Sequence, residues 1–187
     1  LVAPVSLRKG MEQLIRREIE HAQQGRGGSI KAKMNSLVDP GIIALLYEAS
    51  QAGVTIQLII RGMCSLYPGL EGISDNISVV SIIGRFLEHS RIFWFNNGGE
   101  PEVFIGSADL MPRNLDRRVE AVAPIEEPDL RAQLEGLLER YLTDNRGAWD
   151  MQTDGTFIQR HPDGEERNSQ LQLMDDWKGG ALIQPNR

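Results

Sequence analysis

The chain has 187 residues, enough for one domain that buries roughly two-thirds of its unfolded surface. With 41% apolar and 25% charged residues it has the composition of a globular protein, and its net charge of −6 excludes a generally basic surface for gripping nucleic acid. A single cysteine, Cys64, excludes an internal disulfide, and no apolar run approaches the roughly 20 residues of a membrane helix.

Strand and helix patterns alternate along the chain. Leu1 to Val5 reads as a strand, and Ser6 as the cap of a helix whose apolar residues Leu7, Met11, Leu14, Ile15 and Ile19 recur at helical spacing. His21 falls near the end of that helix, before Gly25 and the Gly27-Gly28 turn, and reads as a helix-end residue. Ile30 to Asn35 is a second predicted strand. Asp39-Pro40 gives an N-cap followed by proline at the first helical position, and Gly53 ends that helix. The continuous apolar run Val54 to Ile60 suits a strand buried on both faces of a parallel sheet. Further strands are predicted at Ile77 to Ile83, Ile92 to Phe95, Val103 to Ile105 and Arg118 to Val122. A last helix from about Pro128 to Asp144 would bury Leu130, Leu134, Leu137, Leu138 and Tyr141. The order predicts a mixed α/β sandwich, with helices covering a central sheet.

After Trp149 the pattern weakens. Residues 1–150 read as the domain and 151–187 as an appended polar tail, with one hairpin at Asp154-Gly155 and an exposed, inert His161 in HPDGEE. Trp94, Trp149 and Trp177 read as packing residues. No zinc-ligand spacing, phosphate-cradling P-loop or GxGxxG nucleotide fingerprint is present in the sequence. The start in LVAPV without Met reads as a piece cut from a longer protein.

The chemistry concentrates in residues 84 to 120, GRFLEHSRIFWFNNGGEPEVFIGSADLMPRNLDRRVE. His89 is the histidine of this segment. It is flanked by Arg85 and Arg91, followed by Asn96, a Gly-Ser-x-Asp turn at Gly106, Ser107 and Asp109, and then Arg113, Arg117 and Arg118. Imidazole titrates near neutral pH and can attack phosphorus or protonate a leaving oxygen. A neighbouring cation and a small hydroxyl can hold phosphoryl oxygens by charge-assisted hydrogen bonds. Five arginines near one histidine also concentrate positive charge locally in an acidic chain. Arg61 follows the buried run directly, at the strand end where open α/β sheets bind ligands. Asn35, Ser107 and Asp109 are second-tier candidates, and Asp109 could orient the imidazole if it faces His89.

The segment resembles the phospholipase D pattern, a His-x-Lys/Arg pair followed by a carboxylate or amide and then Gly-Ser-x-Asn/Asp. It departs from that pattern in having Arg91 for the usual Lys, Asn96 for the usual Asp, and a late Gly106. KMNSLVDPGII, LYEASQAGV, IIRGMCSLYPG, GRFLEHSRIF, SADLMPRNLDRRVE and LTDNRGAW, in this order, closely resemble the last domain of the bacterial polyphosphate kinase family. The resemblance runs from residue 1 to about Trp149 and more loosely through the tail.

That resemblance implies a phospholipase-D-like mixed sheet flanked by helices. It implies reversible transfer of the terminal phosphate of ATP to inorganic polyphosphate through a phosphohistidine. The histidine that carries the phosphate would lie in a preceding repeat, in a Thr-His-x-Lys context absent from this chain. His89 and Arg118 would then be catalytic, and Arg61 and His89 would bind ATP. Arg91, Ser107, Asp109 and Arg117 would supply supporting phosphate contacts; of the Arg117-Arg118 pair only one can face the cleft, and the resemblance selects Arg118. Magnesium would be held mainly by the preceding domain, with no metal site in this piece. Expected partners are ATP or ADP, polyphosphate and the remainder of the same polypeptide, in a homo-oligomer with no nucleic acid. The expected location is the cytoplasm, at most peripheral to the inner membrane. Two other readings stand beside this one: a phosphodiesterase half-site that dimerises to pair two His89 residues, and a module that only binds polyphosphate or a partner.

Overall fold

A computed structural model describes residues 1–179. Nine strands are described: β1 (Val2–Ala3), β2 (Ser29–Met34), β3 (Thr55–Ile60), β4 (Ile77–Ile82), β5 (Ile92–Phe95), β6 (Glu102–Gly106), β7 (Glu120–Ile125), β8 (Ala148–Met151) and β9 (Phe157–Gln159). They form one sheet in the order β1-β7-β6-β5-β2-β3-β4-β8-β9. The helices are α1 (Leu7–Gln23), α2 (Pro40–Gln51), α3 (Pro112–Asp116), α4 (Pro128–Leu142) and α5 (Ser169–Lys178). The predicted mixed sheet flanked by helices is the observed architecture.

Side-chain alternation assigns the two faces. Ile30, Ala32 and Met34 of β2, Ile56, Leu58 and Ile60 of β3, and Phe93 and Phe95 of β5 pack under α1 and α2. The opposite face sends Ile59, Val80, Ile92, Trp94 and Val103 against Leu138 and Tyr141 of α4. Because β3 is covered on both sides, its β-branched run needs no polar alternation. Alternation in β2 also turns two lysines toward α4. Lys31 pairs with Glu135 (3.6 Å) and Glu139 and lies 4.5 Å above the Trp94 ring, while Lys33 reaches the Tyr141 ring at 4.9 Å.

The register brings many strand ends to one edge. β2, β3 and β4 run parallel, and Lys33 of β2 pairs with Ile92 of the antiparallel β5. Ile92 pairs with Ile105 of β6, Gly106 with Val122 of β7, and Ile82 with Ala148 of β8. The ends of β2, β3, β4 and β6 therefore share an edge with the starts of β5, β7 and β8. Asp39 caps α2 as predicted, its Oδ1 accepting from the Ile42 amide at 3.0 Å with Pro40 following. Arg8 of α1 pairs with both Asp39 and Asp116 (2.6 Å each), tying three helices together.

Several predicted elements differ. Only Val2 and Ala3 of the first predicted strand pair with β7, and the Ser6 hydroxyl, predicted to cap α1, accepts from the Val2 amide instead (3.0 Å). The strand predicted from Arg118 begins at Glu120, because the Arg118 amide donates back to the Arg113 carbonyl (2.9 Å) and closes α3. α4 buries Leu138 and Tyr141, whereas Leu134 and Leu137 are half-buried and Leu130 is exposed. Trp177, read as a packing residue, is exposed on α5. The boundary drawn at residue 150 falls inside β8. β8 and β9 extend the same sheet, joined by the predicted hairpin at Asp154-Gly155, so most of the predicted tail is integral to the domain. Residues 180–187 of that tail lie outside the described residues.

Candidate active site

Asn35 follows β2 and Arg61 follows β3, so adjacent parallel strands deliver them side by side. Arg91 immediately precedes β5, on the other side of β2, and Asp109 lies just beyond β6. These four side chains form one hydrogen-bonded chain. The Arg61 Nε donates to Asn35 Oδ1 at 2.7 Å. The Asn35 amide and Nδ2 donate to the two Asp109 carboxylate oxygens at 2.8 and 3.2 Å. Arg91 grips the same carboxylate through Nε (3.0 Å) and Nη2 (3.2 Å). Its remaining Nη1 lies 3.0 Å from His89 Nδ1 and donates to the His89 carbonyl at 3.1 Å.

That last contact fixes a proton. A guanidinium has donors only, so Nδ1 must be the acceptor and the neutral ring carries its proton on Nε2. The sequence reading allowed Asp109 to orient the imidazole if it faced His89. Asp109 instead grips Arg91, and Arg91 meets the ring. A carboxylate at Nδ1 would leave an Nε2 lone pair for attack, whereas a guanidinium there leaves an Nε2 proton for donation.

Asp109 is buried, and burial alone would push its carboxyl upward. The bonds from Arg91 and Asn35 outweigh this and hold it below the usual carboxylate range. Arg61 is half-buried and, among the described residues, has no ion pair. Its Nη donors therefore remain available to an anion. Behind this edge, Lys33 is buried, with Nζ 3.1 Å from Glu88 and 2.8 Å from the Ser90 hydroxyl. Burial lowers the Lys33 ammonium from its ordinary value, against the attraction of Glu88, and nearby Arg61 and Arg91 lower it further. Burial and then Glu88 push the Tyr141 phenol upward.

The remaining sequence candidates divide. Arg118 is exposed on the same edge, in the turn before β7. Two strand spacings separate β7 from β5, or roughly 10 Å at about 4.8 Å per spacing. It thus faces the same edge without joining the hydrogen-bonded chain. Arg117 is exposed at the end of α3, and Arg113 is exposed within it. Arg85 is exposed and lies over the Phe86 ring at 5.7 Å. Ser107 gives its hydroxyl proton to Glu120 and accepts from the Ala121 amide (3.2 Å), which leaves no proton for a phosphate. Asn96 stands beyond the far end of β5 and approaches the Gly27 carbonyl, so the strand carries it away from His89. Gly106 comes where a Cβ would lie 2.4 Å from the Ala121 carbonyl oxygen, which explains the glycine.

None of the larger cavities described is lined by Arg61, His89 or Arg118. A groove of about 740 Å³ runs between α4 and the β6–β7 side, with apolar Ile105, Leu130 and Leu137 on its walls. A slot of about 370 Å³ lies between Phe86, Glu88 and α5. Neither contains any of the three. Nor do the carboxylates fit a magnesium ion. Asp109 is taken up by Arg91 and Asn35, Glu88 by Lys33 and Gln170, and Glu120 by Ser107 and Asn114. Among the described residues no cluster of three metal-ligating side chains occurs, and no helix is long and apolar enough to cross a membrane.

Lys33, Glu88, Glu120 and Gln170 escaped the sequence reading. Lys33 left one sign: it occupies a predicted strand whose neighbours alternate into packing.

A family model described as polyphosphate kinase C-terminal domain 2 matches residues 1–171. The polyphosphate kinase of Parasynechococcus marenigrum is 75% identical over 183 residues, covering 97% of this chain and 26% of that protein. That of Pseudomonas aeruginosa is 50% identical over 177 residues, 94% of this chain and 26% of its own length. The crystal structure of polyphosphate kinase from Porphyromonas gingivalis matches at a TM-score of 0.93 and 41% identity, over 97% of this chain and 28% of that one. Nuc of Salmonella typhimurium, a phospholipase D family member, shares the fold at a TM-score of 0.52 and 16% identity, over 72% of this chain and 88% of its own. The chain thus spans about a quarter of the length of the curated relatives it matches.

Proposed function

We propose that this chain, which belongs to the polyphosphate kinase C-terminal domain family, supplies one half of a phosphoryl-transfer site. The reaction is reversible movement of the terminal phosphate of ATP onto polyphosphate through a phosphohistidine held elsewhere in the full-length polypeptide. Phosphoryl transfer is mainly positioning plus charge stabilisation. Arg61, with unpaired Nη donors and an Nε fixed by Asn35, would hold a phosphate of ATP. His89 would present Nε2–H to the oxygen of the departing ADP as its bond to phosphorus breaks, donating a hydrogen bond to the charge that develops there while the ring keeps its one proton. Arg118, further along the same edge, would meet the more distant phosphates of the nucleotide or polymer. Magnesium would be held by other parts of the polypeptide, since the carboxylates here are already paired.

The observation that carries this reading is the Arg91 contact at His89 Nδ1. It favours a histidine that donates over one that attacks. It also weighs against the phosphodiesterase reading, which needs a nucleophilic Nε2. The test is incubation of this 187-residue chain with γ-labelled ATP and magnesium, beside the full-length polypeptide. The full-length chain should become labelled and make polymer, and this chain should do neither. Acid-labile, base-stable label on His89 would contradict the assignment of roles. Metal-independent cleavage of a phosphodiester by this chain would favour the alternative.

A further inference from the structure

The loop from Ile83 to Arg91 has little apolar anchorage, since Ile83, Phe86 and Leu87 are all exposed. What holds it is polar and comes from Gln170, in the region read as a tail, and from Lys33 of β2. The Gln170 side-chain amide, buried on α5, accepts from the Phe86 amide at 2.9 Å and donates to the Phe86 carbonyl at 2.8 Å. It thereby pairs that residue as a neighbouring strand would. The same Nε2 donates to Glu88 at 2.7 Å, and the other Glu88 oxygen meets Lys33 at 3.1 Å. Lys33 also holds Ser90. His89 is therefore gripped on both sides by residues whose own partners are fixed.

α5 is itself anchored to the active edge. The Ser169 amide and hydroxyl both donate to Asp144 Oδ2 at 2.7 Å. The other Asp144 oxygen accepts from the amides of Arg146 (2.8 Å), Gly147 (2.6 Å) and Ala148 (3.2 Å), at the start of β8. Asn168 caps the helix through Leu171 at 3.1 Å. A rigid path thus runs from the sheet through Asp144, Ser169 and Gln170 to the backbone beside His89. Gly84 completes the fit: a Cβ there would lie 2.5 Å from Gln170 Oε1.

We infer that Gln170 is a positioning residue for His89, latching the loop so that Nε2–H points at the reacting phosphate. This rests on the proposed role of His89. Gln170 bonds to Phe86 and Glu88, whereas Arg61 is held by Asn35, so losing Gln170 should disturb the chemical step more than ATP binding. A misplacement of about 1 Å can cost roughly 10²-fold in rate.

The experiment uses the full-length polypeptide with Gln170→Leu, Gly84→Ala and His89→Ala. Gln170→Leu should lower kcat roughly 10–100-fold, leave KM for ATP within about threefold, and speed amide exchange in the peptide spanning residues 84–90. Gly84→Ala should do the same from the opposite side of the contact. If Gln170→Leu keeps wild-type kcat while His89→Ala is inactive, the latch is wrong and the proposed role of His89 stands. If His89→Ala is itself active, that role falls and the latch with it. Should Gln170→Leu fail to fold, Gly84→Ala decides, and wild-type kcat there overturns the inference. Equal losses in kcat and KM with a lowered unfolding temperature would also overturn it, by making Gln170 a stability residue only.

Discussion

Asp109→Asn changes one atom and reverses the chemistry of half the contacts at the centre of the site. In the native chain both carboxylate oxygens accept, from Arg91 on one side and Asn35 on the other. An asparagine keeps one acceptor. Its amide nitrogen then faces two donors, Arg91 Nη2 and Asn35 Nδ2, each at 3.2 Å. Rotating the amide moves the conflict to Arg91 Nε and the Asn35 backbone amide. A charge-assisted bond contributes roughly 1.5–3 kcal/mol and a neutral one roughly 0.5–1.5. Partial solvation of Arg91 returns some of this, so the expected loss is about 2–4 kcal/mol. For a chain of this size the midpoint should fall by about 5–15 °C. The assay is thermal and urea unfolding at pH 7, followed by tryptophan fluorescence, to which the buried Trp94 contributes. The sign of the pH dependence follows from the lowered Asp109 carboxyl. Its contribution is complete above the unfolded value near 4 and disappears as pH falls through the lower folded value. The gap between native and variant should therefore close in acid. A variant as stable as the native chain at pH 7, with an unchanged acid limb, would refute the network as described.

Lys33→Met should cost about 3–5 kcal/mol by leaving Glu88 buried without its cation, and adding Glu88→Leu should recover more than half in the same unfolding assay. Gly106→Ala should cost about 1–3 kcal/mol, because its Cβ would press on the Ala121 carbonyl and part β6 from β7; unchanged stability would contradict the close approach. Arg61→Ala in the full-length polypeptide should raise KM for ATP about tenfold or more, since each charge-assisted contact contributes roughly 1.5–3 kcal/mol, and an unchanged KM would remove Arg61 from the nucleotide site. Leu138→Ala should cost about 2–5 kcal/mol, as that side chain is fully buried between α4 and the sheet.

What the sequence exposed and what it hid have separate physical causes. β3 was legible because a strand covered on both faces must be apolar throughout, and α2 because Asp39-Pro40 is a local start signal. His89, Arg91 and Asp109 were legible through the motif that holds them, and Arg61 through its place after a buried strand. Arg118 was placed on a strand because RRVEAV reads as one continuous extended run. The buried Glu120 carboxylate, held by Ser107 and Asn114, marks where pairing begins. Lys33 and Glu88 are 55 residues apart in sequence, and nothing local says that one neutralises the other in the interior. Gln170 was hidden most deeply. It sits in a stretch whose polarity suggests solvent, yet that polarity is spent on Phe86, Glu88 and, through Ser169, Asp144. Composition alone cannot distinguish polar groups facing water from polar groups that tie a loop down.

The central claim is that His89 acts in phosphoryl transfer from this edge of the sheet, and turnover by full-length His89→Ala tests it most directly. Polyphosphate synthesis from ATP should fall roughly 10²–10³-fold, as for loss of one preorganised hydrogen-bond donor, with the unfolding temperature unchanged because the exposed ring adds little to the fold. Retention of more than about a tenth of native turnover, well short of that loss, would contradict the account and leave His89 a surface residue beside Arg91.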